Sequence, residues 1–274
     1  MNETLKRAIS GAVYIILLLS CIIYSKESLA ILFSILLVFG VYEFSKMTSV
    51  NFYAGIIIAG ISYYFFYDKH HNPFINKGVT FFSIAVSIRL LYFLFQKSEK
   101  NFNIITQYIL LIGYIIFPFI LINYVPIGNK GYNSDIFITI IILIWTNDTF
   151  AYLIGKNFGK NKLFPSVSPK KTVEGFVGGL FFSIIAGVLI SKFYINPKPS
   201  YLNTSILIWS ISAIIISIFS TLGDLIESKL KRIVGVKDSG VIMPGHGGIL
   251  DRLDSIIFVI PFINLFYIIL QYVS

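Results

Sequence analysis

Cysteine, histidine and acid are all scarce in this chain of 274 residues. Cys21 is the only cysteine; an internal disulfide is therefore excluded, and its position inside the first apolar run gives it a packing role. There are three histidines, and His70 and His71 sit together in a polar stretch, where they read as a solvated pair. Acids number 13 against 22 Lys and Arg, a net charge of +9, so the places where acids gather are informative. Other signals are missing too. There is no GxxxxGK[ST] stretch, so the chain holds no P-loop. No ~10-residue alternating strands suggest a membrane β-barrel. No repeat period is evident, and no inverted pair of Gly/Pro-broken helices stands out, which weakens a transporter reading.

What is present is apolar surface. Hydrophobic residues make up 56% of the chain and the mean hydropathy is +0.80, more than the ~45–50% apolar content usual for soluble domains. Apolar runs near the ~20 residues that cross the hydrocarbon of a bilayer occur at about 9–24, 28–45, 52–67, 79–96, 104–126, 134–154, 173–194, 204–226 and 255–273. The run at 52–67 is the weakest. Backbone groups in lipid must be satisfied within the segment, so these runs are expected to be helices. The expected fold is all-α, a polytopic membrane bundle of about nine transmembrane helices.

With the N-terminus placed in the cytoplasm, the inside segments carry 15 Lys and Arg and the outside segments 6, with Arg89 in the membrane. The positive-inside rule favours that orientation. The basic charge thus reports topology, and nucleic acid is not expected as a partner. Residues 1–126 have few charges and read as a transmembrane scaffold in which Glu43 and Arg89 are the exceptions, both near span ends and both given a structural role. Residues 127–274 are expected to form the catalytic region, with cytoplasmic loops at 155–172 and 227–254.

Three stretches of that region carry the polar chemistry. In DTFAYLIG, Asp148, Ala151, Tyr152 and Gly155 share one helix face, next to Asn147. In SPKKT, Ser168 reads as a helix N-cap and Pro169 as the first helical residue, followed by Lys170, Lys171 and Thr172. Cations in a first helical turn oppose the helix dipole unless an anion binds there, which makes the segment a candidate phosphate site. The third stretch, Thr221 to Ser255, holds ten of the 35 charged side chains. Asp224, Glu227 and Ser228 are spaced i, i+3, i+4, and so are Asp251, Asp254 and Ser255. Between these trios lie Lys231, Arg232, Lys237, Asp238 and a turn containing Gly245, His246, Gly247 and Gly248. Hard cations such as Mg2+ take oxygen ligands, commonly one or two carboxylates with phosphates and waters. Asp224 and Asp251 suit that pattern, with Lys231, Arg232, Lys237 and Arg252 placed to neutralise phosphate.

The segment SKLKRIVGVKDSGVIMPGHGGILDRLD, with Gly223–Asp224, DTFAYLIGKNFGK and SPKKTVEG before it, resembles the signature of the phosphatidate cytidylyltransferases, also called CDP-diacylglycerol synthases. The N-terminal half is similar in hydropathy only. The resemblance implies transfer of a cytidylyl group from CTP to phosphatidate with release of pyrophosphate, in phospholipid biosynthesis at the cell membrane. It also implies Mg2+ as cofactor, with a second cation left open, and a homodimer. Carried over residue by residue, it makes Asp224 and Asp251 metal ligands and sets Lys170, Lys171, Lys231, Arg232, Lys237, His246 and Arg252 around the phosphates. Asn147, Asp148, Ser168, Thr172, Ser228, Asp238, Gly245, Gly247, Gly248 and Asp254 would belong to the same site. The alternative is a related CTP-dependent membrane transferase acting on a polyprenyl or ether lipid.

Overall fold

The structure, a computed structural model, describes residues 3–70, 72–96, 102–128, 131–195, 202–243, 245 and 247–273. Ten helical segments dominate: α1 (Glu3–Tyr24), α2 (Lys26–Met47), α3 (Phe52–Phe66), α4 (Pro73–Phe95), α5 (Ile104–Leu110), α6 (Phe117–Tyr124), α7 (Ser134–Phe158), α8 (Val173–Leu189), α9 (Leu202–Ile233) and α10 (Leu250–Val273). A π-helical turn at Leu111–Ile116 joins α5 to α6 into one rod, and a second, Ile190–Ile195, prolongs α8. The first of these adjoins Pro118, which lacks an N–H; a wider turn is one way a helix absorbs that loss. Among the described residues eight helices are long and apolar enough to cross a membrane, and the shorter apolar α3 brings the count to the nine or so expected from the sequence.

Local chemistry sets the helix starts. Ser25 and Ser28 form a reciprocal capping box at α2, and Asn51, Asn72 and Asn133 cap α3, α4 and α7 with their side chains, satisfying amides that a helix start leaves open.

The 15 residues of α3 rise only ~22 Å, and the helix packs along α2 between Val41 and Ala30. Gly55 lies against Val41, Tyr63 Oη donates to Ala30 O at 3.3 Å, and Asp68, just past the helix, pairs with Lys26 at 2.8 Å. Further contacts sort the helix ends into two faces. On one face, Glu43 of α2 meets Ile249 before α10, Lys229 of α9 meets the end of α4, and Gln107 of α5 meets Ser49. On the other, Tyr132 reaches the end of α1 and Tyr194 reaches Asp135 at the start of α7. Nine crossings satisfy every one of these pairs. His70 departs from the solvated reading, since its side chain is 7% exposed and its ring packs beside Tyr124; His71 lies outside the described residues.

Core packing relies on close helix approach. A Cβ on Gly175 would stand 2.6 Å from Ala151 O, and one on Gly179 would stand 2.8 Å from Asn147 O, so α8 rides directly on α7. Gly223 does the same for α9 against α10, where a Cβ would meet Phe258 and Asp254 O. Within the membrane-spanning region, Asn264 of α10 donates to Asn76 Oδ1 and Thr80 Oγ1 of α4, both at 2.7 Å.

At 32 residues, α9 is ~48 Å long against ~30 Å of hydrocarbon. Twenty residues from Leu202 end just before Asp224, so the acidic and basic turns of α9 lie where the helix leaves the apolar layer. The connection to α10 is therefore shorter than the expected 227–254: helix persists to Ile233 and resumes at Leu250, placing Asp224, Ser228, Lys231 and Arg232 on α9 and Asp251, Arg252 and Asp254 on α10.

The expected helix start at Ser168 is not found. Ser168–Thr172 is a strand, β4, paired antiparallel with β3 (Lys162–Phe164); these are numbered after a short β1–β2 hairpin, Ile127–Gly128 with Gly131–Tyr132. Thr172 is the N-cap, its side chain accepting from Gly175 N at 3.1 Å. The cap moved because the segment gains a pairing partner: Val173 N donates to Asn161 O, and Glu174 accepts from Asn161 N and Nδ2. Lys170 and Lys171 accordingly project from a strand, and the helix-dipole argument made for them does not apply.

Candidate active site

On the face defined by Glu43, Lys229 and Gln107, the ends of α7 and α9 and the starts of α8 and α10 enclose a cavity of about 860 Å3. From α7 come Asn147, Asp148, Tyr152 and Lys156; from the hairpin Lys162, Lys170, Lys171 and Thr172; from α9 Thr221, Asp224, Glu227 and Lys231; from the following loop Asp238; and from α10 Asp251, Arg252, Asp254 and Ser255. Carboxylates thus alternate with ammonium groups around one space, as a polyanion bound together with a cation requires.

Two ion-paired clusters organise the wall. Lys171 Nζ lies 2.5 Å from Asp224 Oδ2, and Ser228 Oγ donates to Asp224 Oδ1 at 3.2 Å. Lys231 Nζ stands 2.5 Å from Glu227 Oε2 and 2.6 Å from Asp251 Oδ1, with all three side chains 10% exposed or less. Asp251 Oδ2 accepts from Ser239 N at 2.9 Å and Gly248 N at 2.7 Å. Asn147 is buried, and its Nδ2 donates to Ser220 Oγ at 3.0 Å, which fixes the polar end of α7 against α9.

A second, smaller cavity of about 260 Å3 lies between α1, α7 and α10. Its wall is mixed: apolar side chains such as Leu18, Phe33, Ile144 and Trp145 face Asp148, Asp251, Arg252, Asp254 and Ser255, which it shares with the polar one. The two cavities therefore meet at one carboxylate-lined boundary, and the smaller one is backed by apolar side chains.

The cytidylyltransferase family matches residues 5–270. The chain belongs to that family. It is 34% identical over 267 residues to the phosphatidate cytidylyltransferase of Staphylococcus aureus (strain COL), covering 96% of this chain and 98% of the relative. It is 32% identical over 271 residues to that of Bacillus subtilis (strain 168), covering 96% and 97%. A stretch of 129 residues, 46% of each chain, is 50% identical to the Staphylococcus saprophyticus protein of the same description. The protein is a membrane nucleotidyltransferase, and the cavity is where its charged side chains converge.

The sequence-expected residues divide in two. Asn147, Asp148, Lys170, Lys171, Thr172, Asp224, Lys231, Asp238, Asp251, Arg252 and Asp254 line the polar cavity. Ser168, Ser228, Arg232, Lys237, Gly245, Gly247 and Gly248 do not. Arg232 donates back to Val236 O at 3.3 Å, and Lys237 is exposed. Gly248 is buried among Ser239 and Glu43, Gly247 closes on Asp251 Oδ2, and Gly245 packs on the stem of Arg7. These glycines make room for protein side chains and shape the loop, two of them at positive φ (Gly245 at 76°, Gly247 at 87°). His246 lies outside the described residues.

The wall also carries Lys156, Lys162, Thr221 and Glu227, absent from the expected set. Lys156 lies one turn beyond Tyr152, on a helix face already identified, and was legible there. Lys162 reaches the site only through the hairpin.

A divalent cation fits this wall in a limited way. Among the described residues no group of three or more His, Cys, Asp or Glu is placed to hold a metal, so a cage made of protein alone is not formed. Asp224 accepts one hydrogen bond and one ion pair, leaving acceptor capacity on an oxygen pair that lines the cavity. Asp251 is more heavily engaged but faces the same space. Two such carboxylates, completed by phosphate oxygens and water, are what Mg2+ ordinarily takes.

Proposed function

We infer that the chain transfers a cytidylyl group from CTP to phosphatidate, giving CDP-diacylglycerol and pyrophosphate. The observation that carries this is the junction, at Asp148, Asp251 and Asp254, of a lysine- and carboxylate-lined chamber with a smaller one backed by the apolar side chains Leu18, Phe33, Ile144 and Trp145, in a chain whose full-length relatives are phosphatidate cytidylyltransferases. The triphosphate belongs in the polar chamber and the glycerol end of the acceptor beside the apolar side chains of the smaller one, so that the two phosphates meet at the boundary.

In the reaction an oxygen of the phosphatidate phosphate attacks the α-phosphorus of CTP. A new P–O bond forms, the α–β bridging P–O bond breaks, and pyrophosphate leaves with the electron pair. A phosphate monoester is mostly ionised near pH 7, its second pKa being ~6, so no strong general base is needed. Lys171 and Lys231 hold the negative charge of the triphosphate, supported by Lys156, Lys162, Lys170 and Arg252 along the wall, and Asn147 fixes the α7 edge. Asp224 and Asp251 would hold Mg2+, which when bound supplies positive charge against that developing on the phosphates. The face holding the site is the one that carries the excess of Lys and Arg, 15 against 6, so the positive-inside rule turns it to the cytoplasm, where CTP is found.

The test is an acceptor panel. Purified protein in mixed micelles with CTP and Mg2+ is offered phosphatidate, a polyprenyl phosphate or an ether-lipid acceptor, and pyrophosphate is measured. Release with phosphatidate alone supports the reading. Release with a polyprenyl or ether lipid but not with phosphatidate favours the related transferase instead.

A further inference from the structure

Glu43 belongs to α2, in the part of the chain that supplies none of the polar cavity wall. Its side chain is fully buried, where a carboxylate is unfavourable unless its lone pairs are met. They are met from the loop before α10 and from the first residue of that helix. Ile249 N donates to Oε1 at 2.9 Å, and Leu250 N and Ser239 Oγ donate to Oε2, each at 2.9 Å. The two amides are open donors at the start of α10, so an acid is the favoured partner there. Among the described residues no Lys or Arg pairs with Glu43. Gly240 and Gly248 give it room: a Cβ on Gly240 would stand 2.8 Å from Glu43 Cδ, and one on Gly248 would stand 2.5 Å from Oε2.

The same loop residues hold Asp251. Ser239 N and Gly248 N donate to Asp251 Oδ2, and Ser239 Oγ, while donating to Glu43, accepts from Asp251 N at 3.3 Å. Ser239 thus touches both carboxylates. Asp251 in turn holds Lys231 on the cavity wall. Glu43 touches neither the cavity nor any group proposed to meet substrate.

We propose that Glu43 is a positioning residue for the transferase site: by binding the loop at Ser239, Ile249 and Leu250 it sets the orientation in which Asp251 and Lys231 face the triphosphate. The proposal rests on the functional reading above, and it gives α2 a part in shaping a polar wall that none of its residues line.

The test is Glu43→Gln, which keeps the size but turns an N–H2 group toward donors. Turnover per folded protein should fall at least tenfold, with the KM for CTP rising at least threefold. Deuterium uptake across 238–252 should rise, while uptake at the α7–α8 contact, 147–155, stays at the wild-type level. A role in stability alone would lower the active fraction at unchanged KM. Unchanged KM, or wild-type uptake across 238–252, therefore overturns the proposal. If Glu43→Gln does not accumulate as folded protein, Glu43→Asp decides in its place, since it keeps the charge and draws the carboxylate back from the loop without removing any contact of Asp251. It should shift KM and uptake in the same directions by less, and wild-type values of both refute the proposal. Failure of the wild-type protein to form product would strike the functional reading instead and leave the exchange result standing.

Discussion

Replacing Lys231 by Met tests a buried cluster in which one ammonium serves two carboxylates. The ammonium stands 2.5 Å from Glu227 and 2.6 Å from Asp251, and the three side chains are 10%, 3% and 8% exposed. Methionine keeps the length and removes the charge, leaving two carboxylates with their shared cation gone. Removing one partner of a buried ion pair typically costs about 3–5 kcal/mol, against about 0–1 kcal/mol for an exposed pair. Reversible unfolding by SDS in mixed micelles, followed through Trp145 and Trp209, would read the loss as roughly two to four decades in the folded-to-unfolded ratio. Adding Glu227→Gln removes one of the stranded charges, while Asp251 keeps its bonds from Ser239 N and Gly248 N. The double variant should therefore recover most of the stability. Turnover should remain down by about 10²–10³, the usual cost of losing one electrostatic donor at a reacting centre. A stability loss under ~1 kcal/mol, or recovery of turnover together with stability, would refute the reasoning.

Three further outcomes are expected. Asp224→Asn and Asp251→Asn should each nearly abolish turnover, and the double variant should be little worse than either, since both act through one cation; losses that multiply would assign them to separate roles. Lys171→Ala frees Asp224 from its ion pair and should raise the KM for CTP and lower kcat in a folded protein, whereas unchanged kinetics would remove Lys171 from the site. In a Cys21→Ser background, cysteines placed at Lys160 and Lys237 should resist an impermeant thiol reagent in intact cells, and one at Lys69, on the opposite face, should react; the reverse pattern would invert the proposed orientation.

The spans were legible because one property, a run of apolar residues long enough to cross hydrocarbon, determines them. Even α3, too short by length alone, lay where its apolar run put it. Asp224, Lys231, Asp251 and Arg252 were legible because charges are so few that their clustering near span ends carries information. The cap at Ser168 was misread because Ser-Pro and Thr-Val-Glu are both acceptable helix starts, and the choice depends on strand pairing with Lys162–Phe164 and on Asn161 meeting Glu174, contacts between segments. The resemblance assigned the loop glycines to the substrate site, yet Gly247 and Gly248 make space for Asp251 and Glu43. Nothing local in α2 indicates that Glu43 would meet Ile249, 206 residues later; an acid near a span end is equally compatible with snorkelling.

The most direct measurement follows the fate of each phosphate. Purified protein with phosphatidate, Mg2+ and CTP labelled with 32P at either the α or the γ position should move the α label into the lipid phase and release the γ label as pyrophosphate, one for one. Both transfers should be lost in Asp224→Asn. An α label that stays water-soluble while the γ label appears as inorganic phosphate would show CTP hydrolysis without transfer and would contradict the account.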